Sequence, residues 1–134
     1  MRARLENVVG CEVYNAEAIH PEWEVRAGGS VPLHPKMPPI PVVELSAGHH
    51  YVAFAGADPA AKAAGRPWIE TSRLFFVEPL GPNRTRFVSR FRCASSGDLV
   101  TRLAFGAATI EPTGFAMDRR MLPGVRQRAE RTSA

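Results

Sequence analysis

The sequence predicts an α+β fold, a curved antiparallel meander of about five strands packed on a long C-terminal helix. Three observations carry this. Residues 85–93 alternate with period two. Residues 97–130 switch to apolar positions spaced by three and four. Between residues 42 and 77, short β-branched and aromatic runs are separated by turn residues. Period two marks a strand, and a recurrence at three and four marks one face of a helix.

Taken in order, Pro32, Pro35, Pro38, Pro39 and Pro41 come first. Such a cluster excludes a helix and a central strand, and predicts an extended connection or an edge. Val42, Val43 and Leu45, the turn Ser46-Ala47-Gly48, and then Tyr51, Val52 and Phe54 read as a hairpin. Residues 57–66 are small and polar, and predict a loop with one helical turn. Trp68 to Val77 is a long strand, stopped by Pro79, Gly81, Pro82 and Asn83.

In the strand after it, Thr85, Phe87, Ser89, Phe91 and Cys93 share one face, and Arg86, Val88, Arg90 and Arg92 share the other. An apolar face behind a cationic one suits a sheet buried on one side and wet on the other. Ser96 is placed to cap a helix from Gly97, with Asp98 complementing its dipole. Leu99, Leu103, Ala107 and Ile110 form its apolar stripe, and Pro112 and Gly114 break it. A second helix carries Met117, Met121 and Val125 at four-residue steps beside Phe115 and Leu122, with a kink at Pro123.

The chain has 134 residues, 45% apolar and 22% charged, which suits one globular domain over residues 1–134. No apolar run has the ~18 residues needed to span a bilayer, and MRARLENVVG lacks the apolar stretch of a signal peptide. The expected location is the cytoplasm. Cys11 and Cys93 make neither a disulfide framework nor a metal motif. Residues 1–83 hold seven Lys/Arg against nine Asp/Glu, and residues 84–134 hold ten arginines against four acids, so the balance moves from −2 to +6. That asymmetry suits an anionic partner or simply solvated faces.

RTRFVSRFR, the break at EPTG and then FAMDRRMLPGVRQRAE resemble the end of START-like (SRPBCC) proteins, in particular the polyketide cyclase/dehydrase-like branch. Phe115, Met117, Asp118, Arg119, Met121, Leu122, Gly124, Val125, Arg126, Arg128, Ala129 and Glu130 fit that branch's terminal-helix pattern. The front, RLENVVGCEVYNAEAIHPEW, is similar to its L-E-N-L-x-G segment and the N-A-x-x-I-x-P-E element after it. The resemblance implies a helix-grip fold. Because the family's first strand and two short helices precede the L-E-N segment, it also implies either a natural start upstream of residue 1 or an N-terminally shortened domain. An incomplete cup of this kind would favour self-association through its apolar edge. Pro123 stands where the family has a helix-favouring residue.

The candidate site follows from the alternating strand and the last helix. Phe75, Val77, Phe87, Ser89, Phe91, Met117, Met121 and Val125 are expected to line a cup, and Arg73, if it shares the face of Phe75 and Val77, would orient a ligand carboxylate or carbonyl. A solvent-facing Arg73 and a plain packed core are the alternatives. A dry cavity of ~300 Å³ at ~24 cal/mol per Å³ costs ~7 kcal/mol, against a domain stability of ~5–15 kcal/mol. The cup must therefore be occupied, hydrated, closed by another subunit, or collapsed.

The leading functional expectation is binding of a small apolar or lipid-like molecule, without a cofactor or metal. A cyclase- or dehydratase-like reaction, implied by the resemblance, is the alternative. It requires Glu70, His50, Arg73 or Tyr51 to point into the cup. A third reading is an anion-binding surface of Arg84, Arg86, Arg90 and Arg92, with nucleic acid unexpected because aromatic residues are not interleaved there. His20, His34, His49 and His50 have no metal-ligand spacing, and there is neither a nucleophile elbow nor a phosphate loop.

Overall fold

In a computed structural model, residues 24–32 and 38–132 are described. The N-terminal L-E-N segment, Cys11, His20, His34 and Pro35 lie outside the described residues. Among those described, five strands form one antiparallel sheet in the order β1-β2-β3-β4-β5. They are β1 (Ser30–Val31), β2 (Ile40–Ser46), β3 (His50–Ala55), β4 (Ile69–Gly81) and β5 (Arg84–Ser95). Three helices join them: α1 (Pro59–Ala63), α2 (Leu99–Phe105) and α3 (Ala107–Thr132). The expected α+β class holds, with a curved sheet carrying a long C-terminal helix.

The β2–β3 hairpin turns at Gly48, whose φ of 76° suits a residue without Cβ. Pro41, expected outside any central strand, is the second residue of β2 and pairs with Ser30 of the edge strand β1. The β2–β3 pairing begins only at Val42–Ala53, so the missing N–H falls outside that ladder. Asp58 accepts from the Ala60 N–H at 2.9 Å and caps α1, with Pro59 at the first helical position. Lys62 then reaches Glu70 at 2.7 Å and lies over the Trp68 ring, tying α1 to the start of β4.

β4 runs past the expected stop at Pro79. Its pairing with β3 has ended at Phe76–His50, so Pro79 interrupts no ladder on that side. A register shift between Pro79 and Gly81 marks the strand end, and Pro82-Asn83 makes the turn to Arg84. The β4–β5 register sets Arg73 opposite Phe91, Phe75 opposite Ser89 and Val77 opposite Phe87. The other side is less purely cationic than the arginines suggest. Leu74 lies opposite Arg90 and Phe76 opposite Val88, and all three apolar residues are half-buried.

The cap after β5 is Asp98, not Ser96. The Asp98 carboxylate accepts from the Thr101 N–H at 2.9 Å, and α2 begins at Leu99. Ser96 donates its hydroxyl to Asp98 at 2.5 Å and accepts from the Trp68 N–H at 3.1 Å, so it orients the cap. The helical break also moves. It falls at Gly106, while α3 runs unbroken through Pro112, Gly114 and Pro123. Each proline removes one helical N–H, but both are exposed, so water can reach the freed carbonyls. In the same turn the Thr113 hydroxyl donates to the Thr109 carbonyl at 2.7 Å.

The core is thin. Among the described residues, Ile40, Val42, Ala53 and Ala61 are the buried apolar ones, and no large side chain is fully buried. Ala53 is wholly enclosed between Val42 and Arg73 on the neighbouring strands. Ala53→Leu is expected to cost about 1–3 kcal/mol by overpacking, read as a lower denaturant midpoint with an unchanged slope.

The Asp98 carboxyl is held down at about 2 by the Ser96 hydroxyl first and by the Thr101 N–H second. A depressed acid stabilises the folded chain fully above its ordinary pKa of 3.8, and that contribution fades as the pH falls towards 2. Asp98→Ala is therefore expected to lower stability at neutral pH and to flatten the loss between those two values. Urea midpoints measured across that window would show it; a variant that keeps the wild-type slope would not fit.

Candidate functional site

α3 lies on the side of the sheet that carries Phe87, Ser89 and Phe91. Its half-buried positions are Ile110, Gly114, Asp118, Met121, Leu122, Gly124, Val125 and Arg128, a stripe with helical spacing. The most polar side chain of that stripe makes its best-defined contact with the sheet. Arg73 Nη2 donates to Asp118 Oδ1. The Ser89 hydroxyl donates to the same carboxylate, at 3.3 Å to Oδ1 and 3.2 Å to Oδ2. The two charged side chains are only 12% and 21% exposed.

The guanidinium also lies over Phe75, 4.8 Å from the ring centre, and 6.0 Å from that of Phe91. Phe75 stacks on Phe87 at 5.5 Å and meets Tyr51 at 5.2 Å. Burial pushes the Tyr51 phenol up, and Arg73 partly offsets this.

Next to this clasp is an open-sided groove of about 650 Å³. It lies between the Thr71–Phe91–Cys93 part of the sheet and the first turns of α3, where Ile110, Gly114 and Asp118 line it. Phe105 and Phe115 add apolar wall. A Cβ built on Gly114 would meet nothing within 4 Å, so the groove owes part of its width to that glycine. Cys93 Sγ lies 3.9 Å from the Phe105 carbonyl, and burial raises its thiol pKa, keeping it neutral. Being open on one side, the groove does not carry the cost of a sealed dry cavity.

The expected lining set divides. Phe75, Val77, Phe87, Ser89 and Phe91 face α3 as the alternation predicts, and Arg73 shares their side. Met121 and Val125 lie on the inward stripe of the helix. Met117 does not. It is 45% exposed, because one residue on a helix is a 100° rotation and Asp118 occupies the inward direction. Of the whole set only Phe91 lines the groove. Arg73, expected to meet a ligand, meets the chain's own Asp118 instead.

Asp118 and Gly114 were missed as site residues. They were legible as the continuation of Ile110 at steps of four, hidden by placing a helix break at Pro112. Of the four side chains considered for acid–base work, Arg73 and Tyr51 face the helix. Glu70 lines the groove and pairs with Lys62, and His50 lies 2.7 Å from Glu44. Arg86 pairs with Glu78 at 3.1 Å on the outer face, where Arg84, Arg90 and Arg92 are exposed. Among the described residues no three His, Cys, Asp or Glu side chains are grouped to hold a metal. Nor is any helix among them long and apolar enough to cross a membrane.

No family model, curated protein or solved structure matches this chain.

Asp118→Ala strands Arg73 without its counter-ion and is expected to cost about 2 kcal/mol, the scale of a hydrogen bond to a charged group. Replacing both partners with apolar residues, Arg73→Met with Asp118→Leu, is expected to recover most of that loss. Chemical denaturation of the wild type, Arg73→Met, Asp118→Leu and the double variant gives the coupling. Simple additivity of the two single losses would contradict the clasp.

Proposed function

We propose that the protein binds a small apolar or amphipathic molecule in the groove between its sheet and the first turns of α3. The observation that carries this is the chemistry of the walls. Phe91, Phe105, Ile110 and Phe115 supply apolar surface, and Glu70, Arg92, Glu111 and Asp118 supply charged groups among it. Sites for small ligands combine an apolar lining with a few placed polar groups, in volumes of about 300–1,000 Å³. Asp118 is suited to orienting because Arg73 and Ser89 hold its carboxylate in place. The resemblance of the chain's ends to START-like proteins, whose helix-grip fold encloses a cup, supports the same reading.

The test is thermal stability in the presence of a library of apolar molecules. A ligand at about 100 times its dissociation constant adds about 2.7 kcal/mol. Gly114→Leu projects a side chain into the groove from a position with room for it. It is expected to keep or raise stability by about 0.5–1 kcal/mol through helix propensity, while abolishing the shift given by any ligand found. A variant that still responds fully would move the site elsewhere.

A further inference from the structure

The sheet ends on an open edge. β4 pairs with one side of β5, and among the described residues no strand pairs with the other. In an antiparallel sheet, alternate residues of an edge strand turn their N–H and C=O groups away from the neighbour they have. Residues 84–95 make no further backbone hydrogen bond among the described residues. The edge at the other end of the sheet, β1, is 2 residues long, whereas β5 has 12. A row of unmet donors and acceptors of that length is a template for one more strand.

The side chains along the edge select which strand. Arg84, Arg86, Arg90 and Arg92 stand at alternate positions on the outer face, all exposed. Arg86 is paired with Glu78, but Arg84, Arg90 and Arg92 have Gly81, Leu74 and Ser72 across from them on β4. From residue 69 to 98 the acids are Glu70, which Lys62 holds, Glu78, and Asp98, which caps α2. Arg73 is on the other face with Asp118, and Glu44 is three strands away against His50. With Lys62 and those three acids counted, the four arginines still leave a balance of +2. A second β5 laid antiparallel on the edge would set arginine against arginine, because its outer face stays on the same side. A polynucleotide would answer the arginines and leave the edge carbonyls unmet, since phosphates only accept. A polypeptide strand carrying acids answers both.

We propose that β5 takes up an extended polypeptide segment carrying aspartate or glutamate at every second residue. The incoming main chain continues the ladder along β5. Its acidic side chains fall beside Arg84, Arg90 and Arg92, because alternation puts every second side chain on one face. Opposite-charge pairs across the new strand boundary reinforce the main-chain bonds. Arg92 also borders the groove, but Arg84 and Arg90 do not, so the edge is read independently of what the groove holds.

The probe is a fluorescent peptide of about eight residues, within the ordinary length of a strand, alternating glutamate with valine. Two controls replace its glutamates with lysine or N-methylate every residue, which removes the main-chain donors. Fluorescence anisotropy with the full chain is expected to show binding of the glutamate peptide, weakened by salt, and none of either control. Amide hydrogen exchange is expected to slow along β5 when the glutamate peptide is bound. Arg90→Glu, at an exposed position and with its folding checked by circular dichroism, is expected to weaken binding about fivefold. Folded wild type that ignores the glutamate peptide would overturn the proposal. So would equal binding of the N-methylated peptide, or an affinity that Arg90→Glu leaves unchanged. Binding of single-stranded DNA without binding of the peptide would also overturn it and assign the arginines to nucleic acid.

Discussion

A clasp between charged side chains seats the helix on the sheet. Arg73 on β4 and Ser89 on β5 both donate to Asp118 of α3, so a single carboxylate engages two strands and the helix at once. The environment makes the pairing compulsory. Arg73 lies between the Phe75 and Phe91 rings, and an unpaired cation there would lose most of its hydration without replacement. Because both partners are mostly shielded, the pair's net gain is modest and its directional effect is large. Asp118 inward sets the rotation of α3, so Ile110, Gly114, Met121 and Val125 follow inward and Met117 turns out.

The groove is a consequence of the same seating combined with small residues. Gly114 stands one turn before Asp118 on the inward stripe, and no side chain of its own fills the space towards Phe91 and Cys93. A larger residue there would convert the groove into core. The thin core points the same way, since the wholly enclosed position on this side of the sheet is an alanine, Ala53, and the aromatic rings stay half-buried. Apolar surface left accessible forgoes the stabilisation that its burial would bring. Asp118 then has two tasks: its bonds to Arg73 and Ser89 hold the helix, and its carboxylate forms part of the wall.

α2 shows how a local cap can overrule hydrophobic patterning. Leu99 and Leu103 at i and i+4 predict an inward stripe, yet these two leucines face out while Thr101 is buried. The chain from Ser95 to Asp98 is fixed by the Ser96 bonds to Trp68 at the start of β4, and the helix must begin from there. With only seven residues, α2 buries too little surface to turn itself over against that anchor.

Much of the sheet was legible in the residues alone. Alternation along 85–93 gave the two faces of β5, and turn chemistry at Ser46–Gly48 and Pro82–Asn83 placed both hairpins, because strand period and turn geometry are local properties. The sharing of one face by Arg73, Phe75 and Val77 follows from the same period. Tertiary structure decided the rest. Whether Pro112 and Pro123 end a helix depends on whether their freed carbonyls face water. Which residue of a helix points inward depends on the partner waiting across the sheet, and here that partner is Arg73. The groove itself lies between two elements distant in sequence, so its position was set by how they dock and by the absence of a side chain at Gly114.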